Sequence, residues 1–172
     1  MVQGNVRADA GSSSREYGIT FEIAPPTTVA PGVSMSLPVI VAVRPVGMPR
    51  APTQQLVAHI SLRNEAGTAP VPGLTGIVTS SVRSSSGNTT SGYARFGPLK
   101  FTQAGRYRVR VMLGAASSHG VSTREYVDSG IITVQAGAAP PRPTPSQVAK
   151  LHSLIPENID ITAADIAAWQ GA

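Results

Sequence analysis

Apolar and polar positions alternate with a period of two through much of the chain up to Gln135, the pattern of strands that bury one face. The sharpest instance follows Gly105. Tyr107, Val109, Val111 and Leu113 fall on one face of a strand, and Arg106, Arg108 and Arg110 on the other. One face belongs in a core, and the other offers three guanidinium groups to water or to an anionic partner. Gln55 to Arg63 alternates as cleanly: Leu56, Ala58, Ile60 and Leu62 point one way, and Val57, His59, Ser61 and Arg63 the other. Tyr17 to Ile23 gives a first strand. PVIVAVR, from Pro38 to Arg44, is β-branched and nearly continuous, which predicts a strand buried in the interior. Leu74 to Val82 reads as the next strand. Tyr93 to Val111 reads as two strands joined by a tight connection, with Tyr93 and Phe96 on opposite faces. Val121 to Val134 supplies one or two more, ending in the apolar run IITV.

Between these runs stand APPTTVAPG, VGMPRAPT, NEAGTAPVPG and SSSGNTTSG, segments rich in turn formers. The Pro-rich segment Ala24 to Gly32 excludes a central strand or a helix. Roughly seven short strands punctuated in this way predict a mainly β protein, an antiparallel β-sandwich. Residues 1–15 are small and polar and read as a disordered tail. The sandwich occupies 16–136, a Pro/Ala-rich linker 137–145, and a short helical tail 146–172. Thr144 is placed to cap the first tail helix, with Pro145 at its first position and Gln147 three residues after the cap. Val148, Leu151 and Ile155 then share a face. Thr162 and Asp165 repeat the capping logic ahead of Ile166 and Trp169. Leu151, Ile155 and Trp169 are the candidate contacts for a partner, with docking on the chain's own sandwich the alternative.

Charge sharpens the picture more than overall composition does. The 172 residues carry a formal +5, and between Ile40 and Val111 nine basic residues face a single acid, Glu65, a local +8. That balance favours polyanions, and arginine can grip a phosphate bidentately. The candidate phosphate contacts are Arg83, Arg95, Lys100, Arg106, Arg108 and Arg110. A solvated, arginine-rich sheet face is the plainer reading of the same residues. The absence of cysteine excludes disulfides and thiolate metal sites. The first residues lack the apolar stretch of a secretory signal, and no run reaches the length of a membrane span, so the expectation is a soluble, intracellular protein. His59, His119 and His152 fit no metal spacing, and His59 reads as an outward strand residue. No nucleophile elbow or phosphate-cradling glycine motif occurs. Neither Glu125 with Asp128 nor Glu157 with Asp160 suits paired acid–base work. The expectation is no enzyme, no cofactor, no metal and no small-molecule substrate. Ser12–Ser14 and Ser84–Ser86 are phosphorylatable stretches, the second beside Arg83.

The order of short motifs from Leu74 onward resembles the velvet domain of fungal regulators. It runs through Leu74, Gly76 and Ser80–Ser81, then Tyr93, Phe96 and Leu99, then Gly105, Tyr107, Arg108 and Arg110. Ser129 to Val134 is similar to the domain's closing strand, LPVIVAVR and LVAHISLRNEAG to early strands, and Ser146 to Leu151 to a short helix after the domain. The match spans about Tyr17 to Ile161. It implies a sandwich related to the Rel-type DNA-binding fold, and a homo- or heterodimer located in the nucleus, with the cytoplasm as a second location. It also implies a role in transcription, development and secondary metabolism. The partners implied are DNA and a second velvet-type subunit or a copy of this chain. Two departures leave the DNA contact open: Phe21 to Leu37 holds no Lys or Arg, and QAGAAPP stands where the family has a basic, aromatic stretch. Three readings fit these residues: a DNA-binding regulator, a partner subunit without DNA contact, and an unrelated immunoglobulin-like interaction module.

Overall fold

In the computed structural model the described residues are 17–45, 55–84, 91–117 and 120–171. The expectations for the tail 1–15, the break after Pro45, His119 and Ser12–Ser14 fall outside them. In chain order the strands are β1 (Tyr17–Ile23), β2 (Thr28–Val29), β3 (Ser34–Met35), β4 (Val39–Pro45), β5 (Gln55–Asn64) and β6 (Leu74–Gly76). They continue with β7 (Thr79–Ser81), β8 (Gly92–Phe96), β9 (Leu99–Phe101), β10 (Gly105–Ser117), β11 (Gly120–Asp128) and β12 (Ile132–Val134). One sheet runs β1-β4-β8. The second runs β2-β12-β10-β5-β7, with β11 also paired to β10, and a small third sheet runs β3-β9-β6. All pairings are antiparallel except β12 with β2.

The two large sheets face each other as a β-sandwich, and the alternation explains how. Val39, Val41 and Val43 of β4, with Ala94 and Phe96 of β8, point inward. They meet Leu56, Ala58, Ile60 and Leu62 of β5 and Val109, Val111 and Leu113 of β10. The register sets Val109 opposite Leu62, Val111 opposite Ile60 and Leu113 opposite Ala58, so core residues stack in cross-strand pairs.

The run PVIVAVR is apolar at every strand position up to Val43 because β4 is buried on both faces. Ile40, on the outer parity, belongs to a second cluster with Ile23, Leu37 and the C-terminal tail. A bulge supplies Ile23. Phe21 pairs with Val41 but Ile23 pairs with Ile40, so Glu22 is the extra residue and the strand's parity flips after it.

Two sequence expectations are corrected. Leu74 to Val82 is not one strand: β6 joins the third sheet and β7 the second. The chain turns at Gly76 (φ +117), where a Cβ would collide with the Pro98 carbonyl oxygen. Nor is Tyr93 to Val111 a hairpin. β8 lies in the first sheet, β9 in the third and β10 in the second, so this segment crosses the sandwich. Across the first break Leu74, Val78 and Val82 keep one parity, so alternation alone does not reveal it, whereas across the second the inward parity shifts from Ala94 and Phe96 to Leu99 and Phe101. The expected Pro-rich connection holds as a connection, and Thr28–Val29 within it forms a short parallel edge strand.

The tail folds back on the first sheet. Helix α1 (Pro145–Leu154) opens with the predicted capping box, in which Gln147 N–H donates to Thr144 Oγ1 and Thr144 N–H to Gln147 Oε1. Helix α2 (Ala163–Gly171) follows a 3-10 turn, and Thr162 and Asp165 cap it reciprocally. Leu151, Leu154, Ile159, Ile161, Ile166 and Trp169 cover Ile23, Leu37 and Ile40, with Tyr93, Val148 and Ile155 partly buried at the margin. Glu22 of the bulge pairs with the Lys150 ammonium at 2.8 Å, which holds that group above its usual pKa.

Candidate functional site

The sheet face that carries the arginine stripe is already heavily hydrogen-bonded. Arg108 donates from Nε to the Glu65 carbonyl at 2.7 Å and from Nη1 to the Ser129 carbonyl at 3.0 Å. Arg110 grips Asp128 with Nε and Nη2 at 2.7 and 2.9 Å, and its guanidinium lies 4.0 Å over the Tyr126 ring. The hydrogen bonds to Asp128 hold Arg110 above its ordinary pKa, so its charge is fixed. Arg106, at the start of β10, pairs loosely with Glu65 at 3.4 Å and keeps 57% of its side-chain surface exposed. Of the three, Arg106 is the one with reach toward a partner. Arg108 and Arg110 act mainly as clamps, tying β10 to the loop after β5 and to the end of β11. Asp128→Ala is expected to cost about 1–2 kcal/mol, since it strands a half-buried guanidinium without its carboxylate. A denaturant midpoint that does not move would show the clamp to be dispensable.

Arg83 and Arg95 lie elsewhere, at the outer side of the first sheet beside the tail. Arg83 follows β7 and forms an isolated bridge with Tyr93, while Arg95 projects from β8 on the face opposite Phe96. Both reach the turn before α2. Arg83 Nη2 contacts Asp160 Oδ2 at 3.3 Å, and Arg95 Nη1 donates to the Asp160 carbonyl at 2.7 Å. Arg95 also stands 6.0 Å over the Trp169 ring. A polar pocket of about 330 Å³ opens here, and Thr79, Ser80, Ser81, Arg83, Arg95 and Asp160 are among its walls. Lys100, on β9, is in neither group: it sits in the third sheet between Ser34 and Thr75.

The six basic candidates are thus spread over three places. The sequence did place Arg106, Arg108 and Arg110 together. It could not couple Arg83 and Arg95 to Asp160, which is 77 and 65 residues away along the chain.

The tail candidates turn inward. Leu151 is fully buried and Trp169 keeps 7% exposure, both against the chain's own first sheet, and Ile155 packs at the margin of that cluster. The surface assigned to a partner is therefore occupied within the chain. An apolar cleft of about 170 Å³ remains beside it, where Val33, Met35, Leu37 and Phe101 face Pro140, Pro141 and Trp169.

His59 is exposed, as its alternation predicts, with Nδ1 3.2 Å from the Thr79 hydroxyl. Among the described residues no group of three or more His, Asp or Glu side chains could hold a metal ion, and no helix is long and apolar enough to cross a membrane.

No protein-family model and no curated protein matches the chain. Among solved structures, it is similar to the cohesin module from Clostridium perfringens ATCC13124 family 33 glycoside hydrolase. That likeness covers 72% of this chain and 99% of the module, at 9% identity and a TM-score of 0.31. So slight a likeness carries neither partner nor activity across, and the β-sandwich rests on the chain's own strand pairing.

Proposed function

We propose that the chain is a velvet-type regulator of transcription: a nuclear, dimeric β-sandwich without a catalytic step, acting in fungal development and secondary metabolism and contacting DNA phosphates through exposed cations. The observation that supports this reading is where the ordered motif residues fall. Gly76 makes the turn between sheets, and Phe96 and Leu99 are buried. Tyr107 curls back to donate to the Ala104 carbonyl at 3.0 Å, over a Gly105 that leaves room for its ring. Arg108 and Arg110 pin β10 in place. The motifs that resemble the family are those on which this architecture depends, taken in the same order along the chain.

A second reading, a partner subunit or interaction module without DNA contact, is favoured by one observation. Two of the three stripe arginines already commit their donors to Asp128 and to backbone carbonyls.

Fluorescence anisotropy of a mixed-sequence duplex at two salt concentrations separates the readings. Salt-sensitive binding is expected for the wild type, with the slope against log salt reduced by about 1 in Arg106→Ala or Lys100→Ala if that side chain meets a phosphate. Wild-type protein that leaves the duplex free at both concentrations would sink the DNA contact, and self-association by sedimentation would then favour the second reading.

A further inference from the structure

We propose that the polar pocket between β7, β8 and the turn before α2 is a site for a single phosphate group, which the Asp160 carboxylate occupies from within. Two guanidinium groups converge on one residue, yet Asp160 offers them a single carboxylate, 70% exposed and held by Arg83 at a long 3.3 Å. The pocket therefore keeps an excess positive charge that a phosphate dianion would neutralise more fully.

Arg110 satisfies its fork with Asp128 and the Gly67 carbonyl, whereas among the described residues the Arg83 guanidinium makes one hydrogen bond and the Arg95 guanidinium makes one. The Nε of each is buried with no acceptor, so neither guanidinium has its donors matched by the protein. Ser81 lines the same hollow, which leaves about 330 Å³ open beside the Asp160 carboxylate. The 2.7 Å bond to the Asp160 carbonyl holds Arg95 in position, so one cation is set in place ahead of any ligand.

Asp160 suits the role of an internal competitor. It sits in the left-handed region (φ +61) on an exposed turn, and its side-chain contact with Arg83 is separate from its carbonyl bond to Arg95. An incoming phosphate can displace the carboxylate while the backbone bond stays. Asn tolerates the same backbone region, so Asp160→Asn removes the competing charge without straining the turn.

The site does not rest on the DNA reading, and its test uses no nucleic acid. Inorganic phosphate, and in a second arm phosphoserine, would be titrated into the full chain while the arginine Nε–H resonances are followed by NMR, with sodium chloride at matched ionic strength as the control. The expected result is saturable shifts at Arg83 and Arg95 but not at Arg106 or Arg108, absent in the chloride control. Asp160→Asn is expected to tighten phosphate binding about two- to five-fold, the range set by an exposed ion pair. Shifts spread evenly over all arginines, no saturable shift, or unchanged affinity in Asp160→Asn would each overturn the proposal. Saturation by phosphate but not phosphoserine would support a free-anion site, and saturation by both a site for a phosphorylated side chain.

Discussion

Trp169→Ala is expected to destabilise the chain by about 3 kcal/mol, the lower end of what removing a buried aromatic side chain costs. The ring is 7% exposed and closes the cluster of Ile23, Leu37, Ile40, Leu151, Leu154 and Ile166. The Arg95 guanidinium stands 6.0 Å from the ring's centroid. The two tail helices have ten and nine residues, lengths that are marginal in water without a surface to lie on. Removing the ring should therefore loosen the whole tail and not a single contact. Hydrogen exchange resolved by residue checks this. Amides of 145–171 should lose protection in Trp169→Ala, while β5 and β10 stay protected up to the lowered global stability. Tail amides protected as in the wild type would show that the aliphatic residues alone hold the tail down.

Gly76→Ala is expected to be at least as damaging, about 3 kcal/mol or more, because two separate penalties coincide. The backbone there has φ +117, which an L side chain rarely adopts, and the added methyl would run into the Pro98 carbonyl oxygen. The atom in the way is main chain, so no rotamer change relieves the clash. The bend at Gly76 also sends the chain from the third sheet to the second, and a shift there disturbs β6 with β9 and β7 with β5 together. Gly130→Ala is the control, since a Cβ added there meets nothing within 4 Å and its φ lies outside the left-handed region. Thermal unfolding of the pair should show Gly76→Ala unfolding far earlier and Gly130→Ala close to wild type. Equal midpoints would mean that the turn can rebuild itself.

Strands with a regular face were legible in the residues themselves. β1 and β5 follow their alternation, and β4 follows its unbroken apolar run. The caps at Thr144 and Thr162 were legible too, because capping depends on residues three apart. What stayed hidden was set by contacts distant in sequence. Nothing local to Glu22 marks it as the residue that flips Ile23 to the outer face; only the pairing with β4 does. The apolar residues of β4 declared burial on both sides, but not that α1 and α2 supply the second cover. At the candidate sites the arginines were visible and their counterions were not. Arg108 finds the Glu65 carbonyl 43 positions away, and Arg110 finds Asp128 18 positions away. A charge stripe read from sequence reports where cations stand, and topology decides which of them are already neutralised.

The return of the tail to the first sheet has a further consequence, because it amounts to a receptor and its ligand written on one chain. The segment from Gln135 to Thr144 is short, so the effective concentration of the tail at its own groove is of roughly millimolar order. Docking is thus unimolecular and indifferent to dilution. A single cut in that segment would turn the same apolar contacts into a bimolecular equilibrium, with an occupancy that falls as the protein is diluted.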